Sequence, residues 1–177
     1  MWDLFETVRR RHSIRHYRTD QPVSREQLHA ILEAACAAPS AGDLQSYRIA
    51  VVTSLEQRQA LEAASSGQSF LTEAPVCLVF CADPERAATR YGERGASLYA
   101  LQDATIAASY TQLAAVAAGL ASAWVGAFDE EAARSALGIA PTLRPIAIIA
   151  IGTAAEVPEE TPRRPMQDIL IPIDPGL

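Results

Sequence analysis

The sequence predicts an α+β fold, a mixed sheet of four or five strands flanked by helices, and three observations carry that prediction. Short apolar runs at residues 47–52, 76–81 and 146–151 have the length of strands. The last two lack polar alternation, as strands buried on both faces do. Two capping boxes, Ser24 to Gln27 and Ser54 to Gln57, mark helix starts, because each serine can serve the N3 amide while the glutamine reaches back. An alanine-crowded stretch from about residue 97 to 120 has the length of a long helix. Elements mixed in this way pack as layers of helix on sheet.

The elements follow in order. A first helix is expected from about residue 3 to 11, with Asp3 as N-cap and Leu4, Phe5 and Val8 as its apolar stripe. Residues 12–23 read as a connector closing on Pro22. The helix opened by Ser24 carries Leu28, Ile31, Leu32 and Ala35 on one face. It ends before Pro39, since a residue preceding proline is pushed out of the helical region. Residues 39–43 are a loop by composition. The helix opened by Ser54 runs to about residue 64 and breaks at Ser65-Ser66-Gly67. In the long helix Tyr99, Ile106, Leu113 and Leu120 recur every seven residues, and its alanines allow close packing, so it should be central. Residues 123–128 read as a short strand or turn. Asp129 caps a helix that stops at Gly138. Beyond Val157, proline and charge dominate until residues 169–173 turn apolar again. That apolar tail has no place in a compact monomer and is expected to lie across a partner subunit.

Length and composition bound the function. A chain of 177 residues is enough for one domain, taken here as residues 1–177, and too short for two ordinary ones. The share of hydrophobic residues, 49%, and of charged ones, 20%, is that of a folded globular protein without a membrane span. The acidic N-terminus lacks the basic start and apolar centre of a signal peptide, so a cytoplasmic protein is expected. Cys36, Cys77 and Cys81 are an odd, scattered set, which argues against a disulfide framework and for small buried hydrophobes. A net charge of −6 disfavours nucleic acid as a partner. All 15 basic residues are arginine, and five of them (Arg9, Arg10, Arg11, Arg15 and Arg18) fall within ten residues. Such a local reversal of sign is what an anionic ligand needs.

Four constellations could carry chemistry. In Arg11-His12-Ser13-Ile14-Arg15, guanidinium forks and a hydroxyl just past a helix end suit a phosphate. Composition alone favours a solvated basic turn there. His12 and His16 have the spacing of a zinc pair but lack its glutamate and third ligand. His29 reads as a surface residue. The loop at residues 38–45 and the small residues Gly126 and Ala127 after Trp124 could each bring backbone amides near a planar ligand. Taken alone, both are ordinary turns. Arg163-Arg164 is a second basic pair, of interest because a dianion usually needs more than one cation. No dinucleotide-binding Gly-x-Gly-x-x-Gly, P-loop or Gly-x-Ser-x-Gly elbow is present. Asp129, Glu130 and Glu131 read as acids matching a helix dipole. An enzyme without an evident nucleophile or base must borrow its chemistry from a cofactor.

Taken in order, these motifs resemble the nitroreductase family. The series is Arg-His-Ser-Ile-Arg, Ala-Pro-Ser-Ala-Gly-Asp-Leu-Gln, Glu-Ala-Pro before a strand, Arg90 to Gly95, Leu101-Gln102-Asp103-Ala104, Trp124 to Asp129 and the Arg-Arg-Pro tail. The resemblance implies an α/β/α sandwich and an intertwined homodimer with FMN at each subunit interface. It also implies two half-reactions, from NADH or NADPH to a small-molecule acceptor. By matching position, Arg11 and Ser13 would hold the phosphate and ribityl chain, with His12 adjoining. Arg15 would lie near the pyrimidine edge, where a cation stabilises the reduced ring. Pro39, Ser40 and Ala41 would come from the other subunit. Gln68 would bond the flavin, and Gly126 or Ala127 would present an amide to its N5. Arg163 or Arg164 would close on the phosphate. Asp43 stands where asparagine is common and Ser46 where proline is, which puts the Asp43 contact in question. Residues 83–96 leave little room for a large substrate-covering insertion, so an open acceptor site is expected. Two alternatives remain: a specialised flavoenzyme of the same fold, such as an azoline oxidase or reductive dehalogenase, and a flavin-binding protein without turnover.

Overall fold

A computed structural model describes residues 3–158 and 161–171. Its helices are α1 (Leu4–Arg10), α2 (Arg25–Cys36), α3 (Leu55–Ala64), α4 (Phe70–Glu73), α5 (Pro84–Arg94), α6 (Ala100–Ala117) and α7 (Glu130–Leu137). Its strands are β1 (Tyr47–Val52), β2 (Val76–Ala82), β3 (Ala121–Val125) and β4 (Arg144–Gly152). They form one sheet in the order β1-β2-β4-β3.

Every named strand pair is antiparallel. The mixed sheet expected from sequence survives only as a bridge in which Ser13 runs parallel to Ser122 on the edge strand β3. The reason lies in the connections: β2 and β4 are neighbours although α5, α6, β3 and α7 intervene, and direction was not legible from strand patterns alone.

Strand alternation sorts the core into two layers. Leu78, Phe80, Ile149 and Ile151 point to one face, where α2, α5 and α6 pack. Cys77, Val79, Cys81, Ile148 and Ala150 point to the other, with Leu61, Phe70, Ala133, Ile14 and Tyr17. All of β2 is buried, which explains its unbroken apolar run. Burial pushes the Cys77 and Cys81 thiols up to about 12, so both are neutral packing atoms. Cys36, by contrast, is exposed.

The local signals hold where they are strong. Ser24 and Gln27 form the reciprocal capping box; at the second expected box Ser54 accepts from the Gln57 amide, but the Gln57 side chain does not reach back. Asp129 accepts from the Ala132 amide, and Gly138 closes α7 in the left-handed conformation with φ 64°. In α6, Ala100, Ala104, Ala107, Ala108 and Ala115 are buried against the sheet, as close packing requires. Of the seven-residue stripe, Ile106 and Leu113 form the half-buried flank of this helix, with Tyr110 beside them 40% exposed; Tyr99 lies in the turn before it, and Leu120, past its end, is buried in the core.

The α1 stripe differs from expectation. Leu4, Phe5 and Val8 are exposed, and Thr7 is the buried residue of that helix. The short helix is fixed by Thr7 and by its caps, so its apolar face turns outward within the single chain. Ile169, Leu170 and Ile171 are exposed as well; Pro172 and Ile173 lie outside the described residues. Residues 83–96, read as lacking a substantial insertion, build α5 and a wide turn at Gly95–Tyr99. Asp83 as N-cap and Pro84 at the first helical position were the available signal. No helix among the described residues is long and apolar enough to cross a membrane.

Candidate cofactor site

The Arg11–Arg15 segment is laid along the sheet edge. The Arg11 amide closes α1 by donating to the Thr7 carbonyl, 3.1 Å away. The Ile14 amide then donates to the Ser122 carbonyl at 3.1 Å, and the Arg18 amide to Thr153 at 2.9 Å. Two carboxylates hold the backbone between these points. Glu156 accepts from the Arg15 amide at 2.7 Å, and Glu73 from the Tyr17 amide at 3.2 Å. Ile14 and Tyr17 point into the core. Burial pushes the Tyr17 phenol well above its usual range, so it stays protonated and donates to the Ala150 carbonyl.

With those side chains turned inward, Ser13 and Arg15 face out, and Arg11 is half-buried. Among the described residues neither Arg11 nor Arg15 has a carboxylate within ion-pair distance. His12 turns elsewhere. It lines a cavity of about 590 Å³ with Ile14, Val116, Leu120 and Ala154, and its Nδ1 is buried without a hydrogen-bond partner. His16 lies 3.7 Å from Glu73 and 3.9 Å from Glu156, so the two histidines do not converge.

The loop after α2 is shaped by left-handed residues: Gly42 at φ 55°, Asp43 at 56° and Gln45 at 49°. A Cβ at Gly42 would lie 2.5 Å from the Arg90 guanidinium and from the Tyr91 hydroxyl, so those two side-chain ends would have to shift to admit one. Asp103, 1% exposed on α6, holds the loop from beneath. Its two oxygens accept from the Ala41 amide at 2.9 Å and the Ser46 amide at 3.2 Å. Ser46 therefore supplies an N–H that a proline at this place would lack. Pro39, Ser40 and Ala41, with Tyr99, Leu101 and Ile106, line a second cavity of about 570 Å³. Asp43 is exposed and outside that lining.

In the sequence Asp103 stands out only as one member of the Leu101-Gln102-Asp103-Ala104 motif. Its partners lie 62 and 57 residues upstream, so no local pattern announced the role. An aspartate inside an otherwise apolar helix was the one available signal.

The remaining candidates are scattered. Gly126 and Ala127 are exposed just past β3, and Ala127 lines a third cavity with α3 and α7. Gln68 is half-buried at the start of α4. Arg163 and Arg164 are exposed and bond only carbonyls of their own stretch, at Thr161 and Pro162 for the first and Asp168 for the second. Among the described residues of one chain, no single cavity gathers these groups.

The model of the nitroreductase family matches residues 8–69 and 63–153. The chain belongs to the nitroreductase family. It is 33% identical over 189 residues to an NADH dehydrogenase of Thermus thermophilus, covering 92% of each chain. It is 31% identical to a putative NADH dehydrogenase/NAD(P)H nitroreductase of Archaeoglobus fulgidus, covering 86% of each. The fold superposes on nitroreductase A from Vibrio parahaemolyticus with a TM-score of 0.89 at 28% identity, covering 98% of this chain and 77% of that one. It also superposes on an NADPH:FMN oxidoreductase from Vibrio harveyi, solved with NAD+, at a TM-score of 0.87. Membership in the nitroreductase family accounts for the order of motifs along the chain.

Proposed function

We propose that this protein is an FMN-dependent oxidoreductase that passes reducing equivalents from NADH or NADPH to a small organic acceptor, a nitroaromatic, quinone or flavin, in two half-reactions. One observation carries the reading: Arg11, Ser13 and Arg15 stand on a segment held to the sheet edge through its amides, and among the described residues neither guanidinium has a carboxylate within ion-pair distance. Preorganised cations of that kind fit a phosphate and an electron-rich ring. The orphaned Nδ1 of His12, on the same segment but turned into the neighbouring cavity, is a further polar group lacking a partner. Relatives bearing the names NADPH-flavin oxidoreductase and FMN reductase support the cofactor.

The bound flavin supplies the hydride chemistry. Arg11 and Ser13 anchor its phosphate and ribityl chain, with His12 adjoining, and Arg15 faces its pyrimidine edge. Gly126 or Ala127 offers a backbone amide toward N5, and Gln68 is a further polar contact. Arg163 or Arg164 closes on the phosphate. Pro39, Ser40 and Ala41 are offered to the flavin of a second subunit, with Asp43 at the rim of that loop. A homodimer is supported by the separation of these groups within one chain and by the outward apolar residues Leu4, Phe5, Val8 and Tyr110. All of this is taken as one domain.

The test is direct. Purified protein should be yellow, dimeric by light scattering, and bleached anaerobically by NADH or NADPH. A colourless protein that takes up no added FMN overturns the reading. Retained FMN that neither nicotinamide reduces points to a specialised flavoenzyme or to a binding protein.

A further inference from the structure

Helix α5 carries two arginines, Arg90 and Arg94, that the flavin reading does not use. Arg90 donates from Nη1 to the Gly42 carbonyl at 3.1 Å, and its guanidinium carbon lies 5.5 Å from the Tyr91 ring centre. Arg94 donates from Nε to the Tyr99 hydroxyl at 3.0 Å and lies 5.5 Å from that ring. The two rings meet edge to face, with centres 5.1 Å apart. Gly92, at φ 54° and ψ −141°, turns the chain between the arginines. Each ring of the tyrosine pair thus carries one guanidinium against it.

The pair sits at the rim of the cavity beneath residues 39–41. Tyr99 lines that cavity, and Gly42 directly follows its lining residue Ala41. Asp103 is the only ionisable carboxylate in the lining, and both of its oxygens are engaged by backbone amides. Among the described residues, no carboxylate lies within ion-pair distance of Arg90 or Arg94. Each guanidinium spends one nitrogen on positioning and leaves others facing solvent. Two oriented cations without counter-charge suit a group carrying two negative charges.

We propose that Arg90 and Arg94, braced by Tyr91 and Tyr99 at the cavity rim, bind the phosphomonoester dianion of a substrate. The proposal rests on the flavoenzyme reading above. Two substrates present this chemistry: NADPH, through the 2′-phosphate that NADH lacks, and free FMN as acceptor, through the 5′-phosphate that riboflavin lacks.

The FMN-loaded full chain decides between them. kcat/KM is compared for NADPH against NADH with a quinone acceptor, and for FMN against riboflavin with a common donor. The phosphate-bearing member of one pair should be preferred by roughly tenfold or more, the worth of a charge-assisted contact. The pair that shows the preference identifies the substrate. Arg90→Gln and Arg94→Gln should each reduce the ratio, and the double variant should bring it close to one through KM. Arg90→Lys should keep part of it. Arg25→Gln removes an equal charge at the opposite end of α2, about 18 Å along that helix, and should leave the ratio unchanged. Absence of preference in both pairs, or a preference that survives the double variant, overturns the proposal. Should neither nicotinamide reduce the flavin, the proposed function fails separately. Calorimetry of the FMN-loaded chain with 2′-AMP and 5′-AMP, each against adenosine, then reads the site without turnover, and nucleotides that bind no tighter than adenosine overturn it.

Discussion

Arg11 and Arg15 stand on a segment tied to Ser122, Thr153, Glu73 and Glu156, with Ile14 and Tyr17 sunk into the core layer on one face of the sheet. Arg163 and Arg164 have the same guanidinium chemistry, yet they bond only carbonyls within their own exposed stretch. A cation tied to a sheet presents its charge at a fixed place and loses little entropy on binding. One on an untied stretch must be ordered by the ligand or by a second subunit. In the proposed flavin site the first cluster would be a preformed half, and the second would complete on assembly.

Removing the tie should produce the largest effect. Tyr17→Ala deletes a ring that is 4% exposed and should cost about 3–5 kcal/mol of stability, read by denaturant unfolding. FMN affinity should fall with it, since the arginines lose their support. A loss under about 1 kcal/mol would break the contrast, because the segment would then not be anchored through its core residues. Arg11→Ala should act on the ligand alone, weakening FMN binding roughly tenfold at an unchanged unfolding midpoint. The corresponding alanine change at Arg163 or Arg164 should do the same for one of the pair. Full FMN retention in Arg11→Ala would contradict the phosphate assignment. Full retention in both tail variants would leave the tail as surface charge.

The smallest effect belongs to an arginine that is paired but half-exposed. Arg144 meets Glu130 through two bonds, at 2.9 Å and 2.8 Å, and the guanidinium holds that carboxyl below its ordinary 4.5. A lowered native pKa means stability that is present above the unfolded value and lost as pH falls through the lowered one. Glu130→Gln should thus cost at most about 1 kcal/mol at neutral pH, discounted for solvent screening. The difference from wild type should fade as pH falls below 4.5. A difference that grows on acidification would mean that another group carries it.

Much of the fold was legible because its signals are local. Ser24, Ser54 and Asp129 cap their helices through hydrogen bonds to amides three residues on, a distance any window of sequence contains. Residues 47–52 and 76–81 read as strands because apolar runs of that length have few other uses. Helix α5 was missed although Asp83 and Pro84 announced it, since its Arg-rich, Glu-rich turns and the left-handed Gly92 blur the apolar period. The site was legible in its arginines and its glycine loop, but not in what supports them. Glu73, Glu156 and Asp103 reach their partners across 56, 141 and 62 residues.

By itself, the sequence determined where the helices capped by Ser24, Ser54 and Asp129 start, which runs are buried strands, and the order of motifs that marks the family. Those depend on backbone groups satisfied within a few residues and on side chains leaving water, both encoded nearby. Only the tertiary structure decided that every strand pair is antiparallel and that the α1 stripe faces outward. It also decided that Asp103 holds the 39–46 loop, and that Arg11 and Arg15 are tied down while Arg163 and Arg164 are not. Each of those outcomes is a meeting of distant segments, and such meetings are set by how the layers close over the sheet.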